Sequence, residues 1–487
     1  MAAENRGKPH AIMICVPYQG HINPFVNLAL KIASKGFSIT FVHFEFVHHR
    51  LSKAHHHHCN NTQVDIFSEA RESGLDIRYT TISDGLPVEF DRDANYDEFW
   101  GKVLREFPAR VDEFVKKTIE SDPYLLHFLV ADTVFSWPAT IAEKYNLVHV
   151  SLWTEPALVF TLAYHVDLLI ENGHFPCKDN IDEEVNYVPG VKSISTRDLI
   201  SVMKEPGQGY NYTMLQSVFM AFEQVKKADF ILHNTVHELE AETLSVLNKY
   251  QPNYAIGPTN FFKNLPTYTV SKSLWSESDC TEWLKSKPPA RFLYVSFGSF
   301  VHTSRQEIEE IAYGLLLSEV HFIWVVREGI MSSGDTKIMP DGYEDEVKDK
   351  GLIIPWCNQI RVLSNPAVGG FLTHNGWNST IESLWCGVPM ICYPFLFDQP
   401  TNRKLVVDDW KCGISLCDGT SFDRKEVAEK IKSFMSGAAS KRFRQEANKV
   451  KTILHHALEV DGSSEKKFDQ FIKDLIEKIH SKTSIDQ

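Results

Sequence analysis

Two doubly wound α/β domains are predicted for this 487-residue chain from three observations. Short apolar runs alternate with amphipathic segments from end to end, as strand–helix units around a parallel sheet do. The alternation loosens once, over Gly257–Ser278, where Pro258 and Pro266 stand among Ser, Thr and Asn, and then restarts. The length also exceeds that of one ordinary domain. The expected division is a first domain over 1–257, a linker over 258–278, a second domain over 279–460, and a C-terminal helix and tail over 461–487 that packs back on the first. The two domains are expected to face each other across a cleft.

In the first half, Ala11–Pro17 reads as a strand and Pro24–Ser34 repeats apolar residues at helical spacing. Ser38–Phe44, Phe128–Ala131, Val148–Leu152 and Phe230–His233 are further strands. In the second half the strands are Phe292–Phe297, His321–Val326, Leu352–Pro355, Gly370–Thr373, Met390–Tyr393 and Ile414–Cys417. Helices are expected at Arg305–Leu317, Asn378–Cys386, Thr401–Asp409 and Arg424–Met435.

The net charge of -13, with no long basic stretch, argues against nucleic acid and anionic membrane surfaces as partners. Met1–Lys8 lacks the charged-then-apolar pattern of a signal peptide, and no apolar run reaches the ~20 residues of a membrane span. A cytoplasmic monomer without a membrane anchor is expected. The nine cysteines form no CxxC pair and fit reduced, buried thiols. Asn60 and Asn211 open Asn-x-Thr triplets that are expected to carry no glycan. His55–His58, near His48 and His49, lies in a polar segment and reads as a solvated loop rather than a metal site.

Trp356–Gln399 carries the chemistry. A strand ending at Thr373 runs through His374-Asn375-Gly376-Trp377 into a helix starting near Asn378. A Gly turn into a helix N-terminus presents unpaired N–H groups and the positive end of the helix dipole, and so receives phosphate without a basic patch. Taken alone, Ser379 and Glu382 could be a capping box, Trp356 could be core, and Asp398 could cap the next helix.

The spacing of Trp356, Gln359, Leu363, Gly369, Phe371, His374, Gly376-Trp377-Asn378-Ser379, Glu382, Gly387-Val388-Pro389, Pro394 and Asp398-Gln399 resembles the plant secondary-product signature of the family 1 UDP-glycosyltransferases, whose fold is called GT-B. The resemblance implies that Trp356 stacks on uracil and that the Cys357 backbone pairs with its edge. It gives Gln359 and Glu382 to the ribose, and His374, Asn378, Ser379 and Ser299 to the pyrophosphate. Trp377, Asp398 and Gln399 go to the glucose hydroxyls. Two positions depart from the signature: Asn365 stands where His is usual, and Asn375 where Cys is common.

Gln19-Gly20-His21-Ile22-Asn23-Pro24 opens the first helix at the edge of the sheet where α/β proteins place their sites. The resemblance makes His21 the general base and Asp132, at the end of a neighbouring strand, its partner. A carboxylate behind an imidazole fixes the tautomer and stabilises the imidazolium. Trp137, Trp153, Phe160 and Phe395 are candidate acceptor-pocket residues. The resulting expectation is an inverting hexosyltransferase of plant secondary metabolism. It moves glucose from UDP-glucose, a co-substrate, to a hydroxyl of a small phenolic, flavonoid or terpenoid acceptor, with no cofactor and no metal.

Three other readings make different demands on the sequence. A dinucleotide dehydrogenase or epimerase normally shows G-x-G-x-x-G after the first strand, where this chain has the single Gly20. Asp91-Arg92-Asp93 has the letters of a metal-binding D-x-D but stands in a polar loop, so it reads as chance. A non-catalytic nucleotide-sugar binding or sensor protein needs the donor residues but not His21 and Asp132.

Overall fold

The computed structural model describes residues 7–55, 65–177, 182–203, 212–263, 273–285, 288–331, 338–417 and 423–485. Most of the His55–His58 run, both Asn-x-Thr asparagines and the middle of the expected linker lie outside the described residues. The chain forms two compact units. Unit 1 comprises 1–197, 202–275 and 456–487, and unit 2 comprises 198–201 and 276–455.

Unit 1 is built on seven parallel strands: β1 (Pro9–Ile14), β2 (Ser38–Phe44), β3 (Ile77–Ile82), β4 (Leu126–Asp132), β5 (Val148–Trp153), β6 (Phe230–His233) and β7 (Asn253–Ala255). Their order is β3-β2-β1-β4-β5-β6-β7. β2 and β5 are buried along their whole length, as strands covered on both faces require. Helix α1 (Gln19–Ser34) follows β1 and starts five residues before the expected helix, with Pro24 inside it. Pro24 stands in the second turn, so the helix still forms ahead of it.

Unit 2 is built on six parallel strands: β8 (Phe292–Ser296), β9 (His321–Val325), β10 (Gly351–Ile354), β11 (Val368–Thr373), β12 (Met390–Cys392) and β13 (Gly413–Ser415). Their order is β10-β9-β8-β11-β12-β13. Helix α2 (Arg305–Ser318) opens with a full capping box between Ser304 and Glu307. Helices α3 (Gln359–Leu363), α4 (Trp377–Cys386) and α5 (Gln399–Lys404) carry most of the expected donor residues. The chain after α5 passes through a wider turn over Leu405–Asp409, where one continuous helix was expected.

The last helix, α6 (Ser463–Ile485), belongs to unit 1. Phe471 packs on Phe230 and Tyr254, the Tyr254 hydroxyl donates to Asp474 at 2.5 Å, and Ser464 donates to the Gly257 carbonyl at 2.6 Å. Phe468, Phe471, Leu475 and Ile479 are buried. Each such side chain contributes about 1.5–3 kcal/mol. Lys31 of α1 pairs with Glu465 and lies over the Phe262 ring.

Candidate active site

In each sheet the strand order reverses at one point, and loops diverge there to leave a place for a ligand. In unit 1 the reversal is between β1 and β4, which pair up to Ile14 opposite Ala131. His21 sits in the first turn of the helix after β1, and Asp132 is the last residue of β4. The His21 Nδ1–H donates to Asp132 Oδ2 at 2.8 Å, which leaves the ring's lone pair on Nε2. Asp132 is buried and held in place by backbone N–H groups, Val16 on Oδ2 and Val134 on Oδ1, both at 3.2 Å. The His21 side chain is 16% exposed against 1% for Asp132, so the base reaches solvent and its partner does not.

Thr154 was not foreseen. It follows β5, the neighbour of β4, and its hydroxyl lies 3.3 Å from His21 Nδ1. Its position one residue beyond a strand end was the only signal in the sequence. The expected acceptor residues of this unit are core instead. Trp137 packs on Phe107 and Phe135, while Trp153 and Phe160 pack on each other and on Phe222. All three are buried. The D-x-D letters also resolve. Arg92 is buried in a two-pronged pair with Asp84, at 2.7 and 3.0 Å, while Asp91 accepts from the Asp93 and Ala94 N–H groups and closes its own turn. Among the described residues no cluster of His, Cys, Asp and Glu could hold a metal ion.

In unit 2 the reversal lies between β8 and β11. Ser299 follows β8 after Gly298, whose φ of +74° favours glycine. His374 follows β11, with Gly298 and Gly376 against its ring. Burial pushes its pKa down to about 4, against a smaller upward pull from a hydrogen bond with the Ser296 backbone. The ring is therefore neutral at neutral pH and offers a hydrogen bond rather than a standing charge. Its Nδ1 is buried with no partner among the described residues.

α4 begins at Trp377, with Gly376 as a cap that supplies no side chain. Ser379 is thus inside the first turn, and no capping box forms with Glu382. Gln359 of α3 instead donates to Ser379 Oγ at 3.0 Å and to Glu382 Oε2 at 2.7 Å, bringing these three expected residues together. Asn378 lies beside them in the first turn of α4. Trp356 is half-buried, its carbonyl accepting from Ser278 N–H at 2.8 Å, and Cys357 is buried beside Tyr294. Trp377 is buried and its indole packs beside that of Trp410.

Asp398 does not cap α5 with its side chain; its Oδ2 accepts from Asn402 at 2.5 Å. Gln399 Oε1 accepts from the Phe395 and Leu396 N–H groups at 2.8 and 2.9 Å, which turns its amide NH₂ outward as a donor. The two departures from the signature have local reasons. Asn375 has φ +64°, a conformation asparagine tolerates, and donates to Cys392 Sγ at 3.3 Å. Asn365 accepts from Ala367 N–H at 2.9 Å and closes a turn before β11.

A helix start of the kind that suits an anion in one doubly wound unit, and a histidine–carboxylate pair in the other, are the parts expected of a GT-B sugar transferase. The family model described as UDP-glucoronosyl and UDP-glucosyl transferase matches residues 276–456. The chain is 49% identical to UDP-glycosyltransferase 86A1 of Arabidopsis thaliana, with 98% of this chain and 96% of that one covered. It is 34% identical to 7-deoxyloganetin glucosyltransferase of Catharanthus roseus, with 96% of each covered. Among solved structures, Os79 from O. sativa in complex with UDP matches with a TM-score of 0.80 at 22% identity, covering 96% of this chain and 100% of that one. A UDP-glucose: anthocyanidin 3-O-glucosyltransferase in complex with UDP matches at 0.79 and 23% identity, covering 98% and 100%. The fold is GT-B, and the chain belongs to the UDP-glycosyltransferase family: it is an enzyme that transfers a sugar from a UDP-sugar donor. Among the described residues no helix is long and apolar enough to cross a membrane.

Proposed function

We propose that this enzyme transfers glucose from UDP-glucose to a hydroxyl of a small hydrophobic acceptor of the phenolic, flavonoid or terpenoid kind, with inversion at the anomeric carbon. The observation that carries the reading is the 2.8 Å pair of His21 with the buried Asp132. His21 Nε2 takes the acceptor proton as the oxygen bonds to the sugar C1. The bond from C1 to the phosphate oxygen breaks, UDP leaves, and Asp132 stabilises the imidazolium. One candidate base, and no candidate nucleophile among the signature residues, favour a single displacement, which converts the α-linked donor to a β-glucoside.

In unit 2, Trp356 and Cys357 serve uracil, and Gln359 and Glu382 serve ribose. His374, Asn378, Ser379 and Ser299 serve the diphosphate at the start of α4, where the helix dipole replaces a metal ion. Trp377, Asp398 and Gln399 serve the sugar. The relative that acts on 7-deoxyloganetin is a glucosyltransferase, which supports glucose as the sugar. No cofactor or metal enters this scheme, and the proposed setting is a cytoplasmic monomer.

The test is purified enzyme with UDP-glucose or UDP-galactose, an acceptor panel and EDTA throughout. Preferred use of UDP-glucose and a large anomeric proton coupling in fresh product are expected. A small coupling, meaning an α-linkage, overturns the single displacement. Activity that needs added Mg²⁺ or Mn²⁺ overturns the metal-free donor site.

A further inference from the structure

Unit 2 takes four residues, Asp198–Ser201, from the first half of the chain. They grip the turn that leads into Asp398 and Gln399 at three points. Ser201 N–H donates to the Phe397 carbonyl at 2.9 Å, and the Phe397 N–H returns a bond to Ser201 Oγ. Thr401 Oγ1 donates to the Asp198 carbonyl at 2.6 Å. The Arg403 guanidinium pairs with the Asp198 carboxylate, and its other arm donates to Ser415 Oγ at 2.9 Å. Asp198 is 2% exposed.

Phe397 has φ +55°, a left-handed conformation that a bulky side chain seldom adopts and that the surroundings must hold. It immediately precedes Asp398, so the backbone torsion at 397 sets where the next two side chains point. Thr401 and Arg403 lie on the same short helix as Gln399. The four-residue segment thus braces the turn from one side and α5 from another.

We propose that Asp198 and Arg403 are positioning residues for the sugar of the donor, acting through the Phe397–Gln399 turn. This rests on the reading that Asp398 and Gln399 receive the sugar. Its described bonds go to Phe397, Thr401 and Arg403 rather than to Trp356, Gln359 or Glu382, the residues assigned to the nucleoside, so its loss is expected to weigh on the sugar more than on UDP. A residue that merely stabilises unit 2 affects both alike.

The experiment compares wild type with Asp198→Asn, which keeps shape and removes charge, Ser201→Ala, a milder cut at the same brace, and Gln399→Ala. For each, the UDP dissociation constant, KM and kcat for UDP-glucose, and the UDP-glucose to UDP-galactose preference are measured. Asp198→Asn is expected to raise KM for UDP-glucose about tenfold and to erode the preference, with UDP affinity held within about twofold. Ser201→Ala is expected to move the same quantities less, and it decides the question if Asp198→Asn does not fold. A preference lost in Gln399→Ala but kept in both brace variants overturns the inference alone. A preference unchanged in Gln399→Ala overturns the sugar-site reading beneath it. Parallel loss of UDP and UDP-glucose affinity in the brace variants reduces the brace to a structural part and also overturns the inference.

Discussion

A Cβ on Gly376 would stand 2.5 Å from His374 Nε2. No side chain fits there without moving the imidazole, and the backbone torsion is not the obstacle, since Gly376 has φ −55°. Gly376→Ala therefore acts on His374 and leaves the helix able to form. A displacement of about 1 Å in a positioned group can cost about 10²-fold. We expect kcat/KM for the donor to fall about 10- to 100-fold with a far-ultraviolet spectrum like the wild type's. Unchanged kinetics would separate His374 from donor binding.

Asp132→Asn keeps the shape of the partner but offers Nδ1 an amide in place of a carboxylate. The tautomer is no longer enforced, and the imidazolium loses its counter-charge. Transfer is expected to drop about 10²–10⁴-fold. UDP affinity should stay as in the wild type, because the residues assigned to UDP belong to unit 2 and Asp132 to unit 1. Full activity in this variant would leave the dyad without a catalytic role.

Burial is the main cause that holds several histidines neutral. It drops the pKa of His10 and His43 to about 3, and that of His149 and His233 to about 4. Their unfolded value is 6.5, so below that pH the unfolded chain binds more protons than the folded one. Their stabilisation is complete above about pH 6.5 and is lost as pH falls toward 4. At pH 5 each histidine lowers stability by about 2 kcal/mol relative to pH 8. Urea titrations at pH 8 and pH 5 should show the midpoint falling steeply. A midpoint that does not change over this range would contradict the burial of these rings.

What could be read in the sequence follows from how locally each feature is encoded. Ser38–Phe44 and Phe230–His233 are short runs dominated by apolar and β-branched residues, and the strands formed over those same residues. β3 and β7 were not foreseen. They are the two edge strands, and the middle of Ile77–Ile82 is Arg-Tyr-Thr-Thr, partly exposed, so neither a buried run nor a strict alternation marks it. The placement of His21 and Asp132 near the ends of two strands was legible because a parallel sheet brings such ends together, whereas the roles expected of them came from the resemblance to the family. The neutral state of His374 was not legible, since it comes from Gly298, 76 positions earlier in the chain, and from burial that only the fold creates. The membership of Asp198–Ser201 in unit 2 was likewise hidden, because four residues joining two single-turn helices carry no periodic signal.

The central claim is that His21 activates the acceptor while the donor is held elsewhere. His21→Ala, assayed for glucosyl transfer and for UDP binding by calorimetry, tests it most directly. Transfer is expected to fall by at least about 10²-fold while UDP affinity stays within about twofold of wild type. Near wild-type turnover in that variant would contradict it.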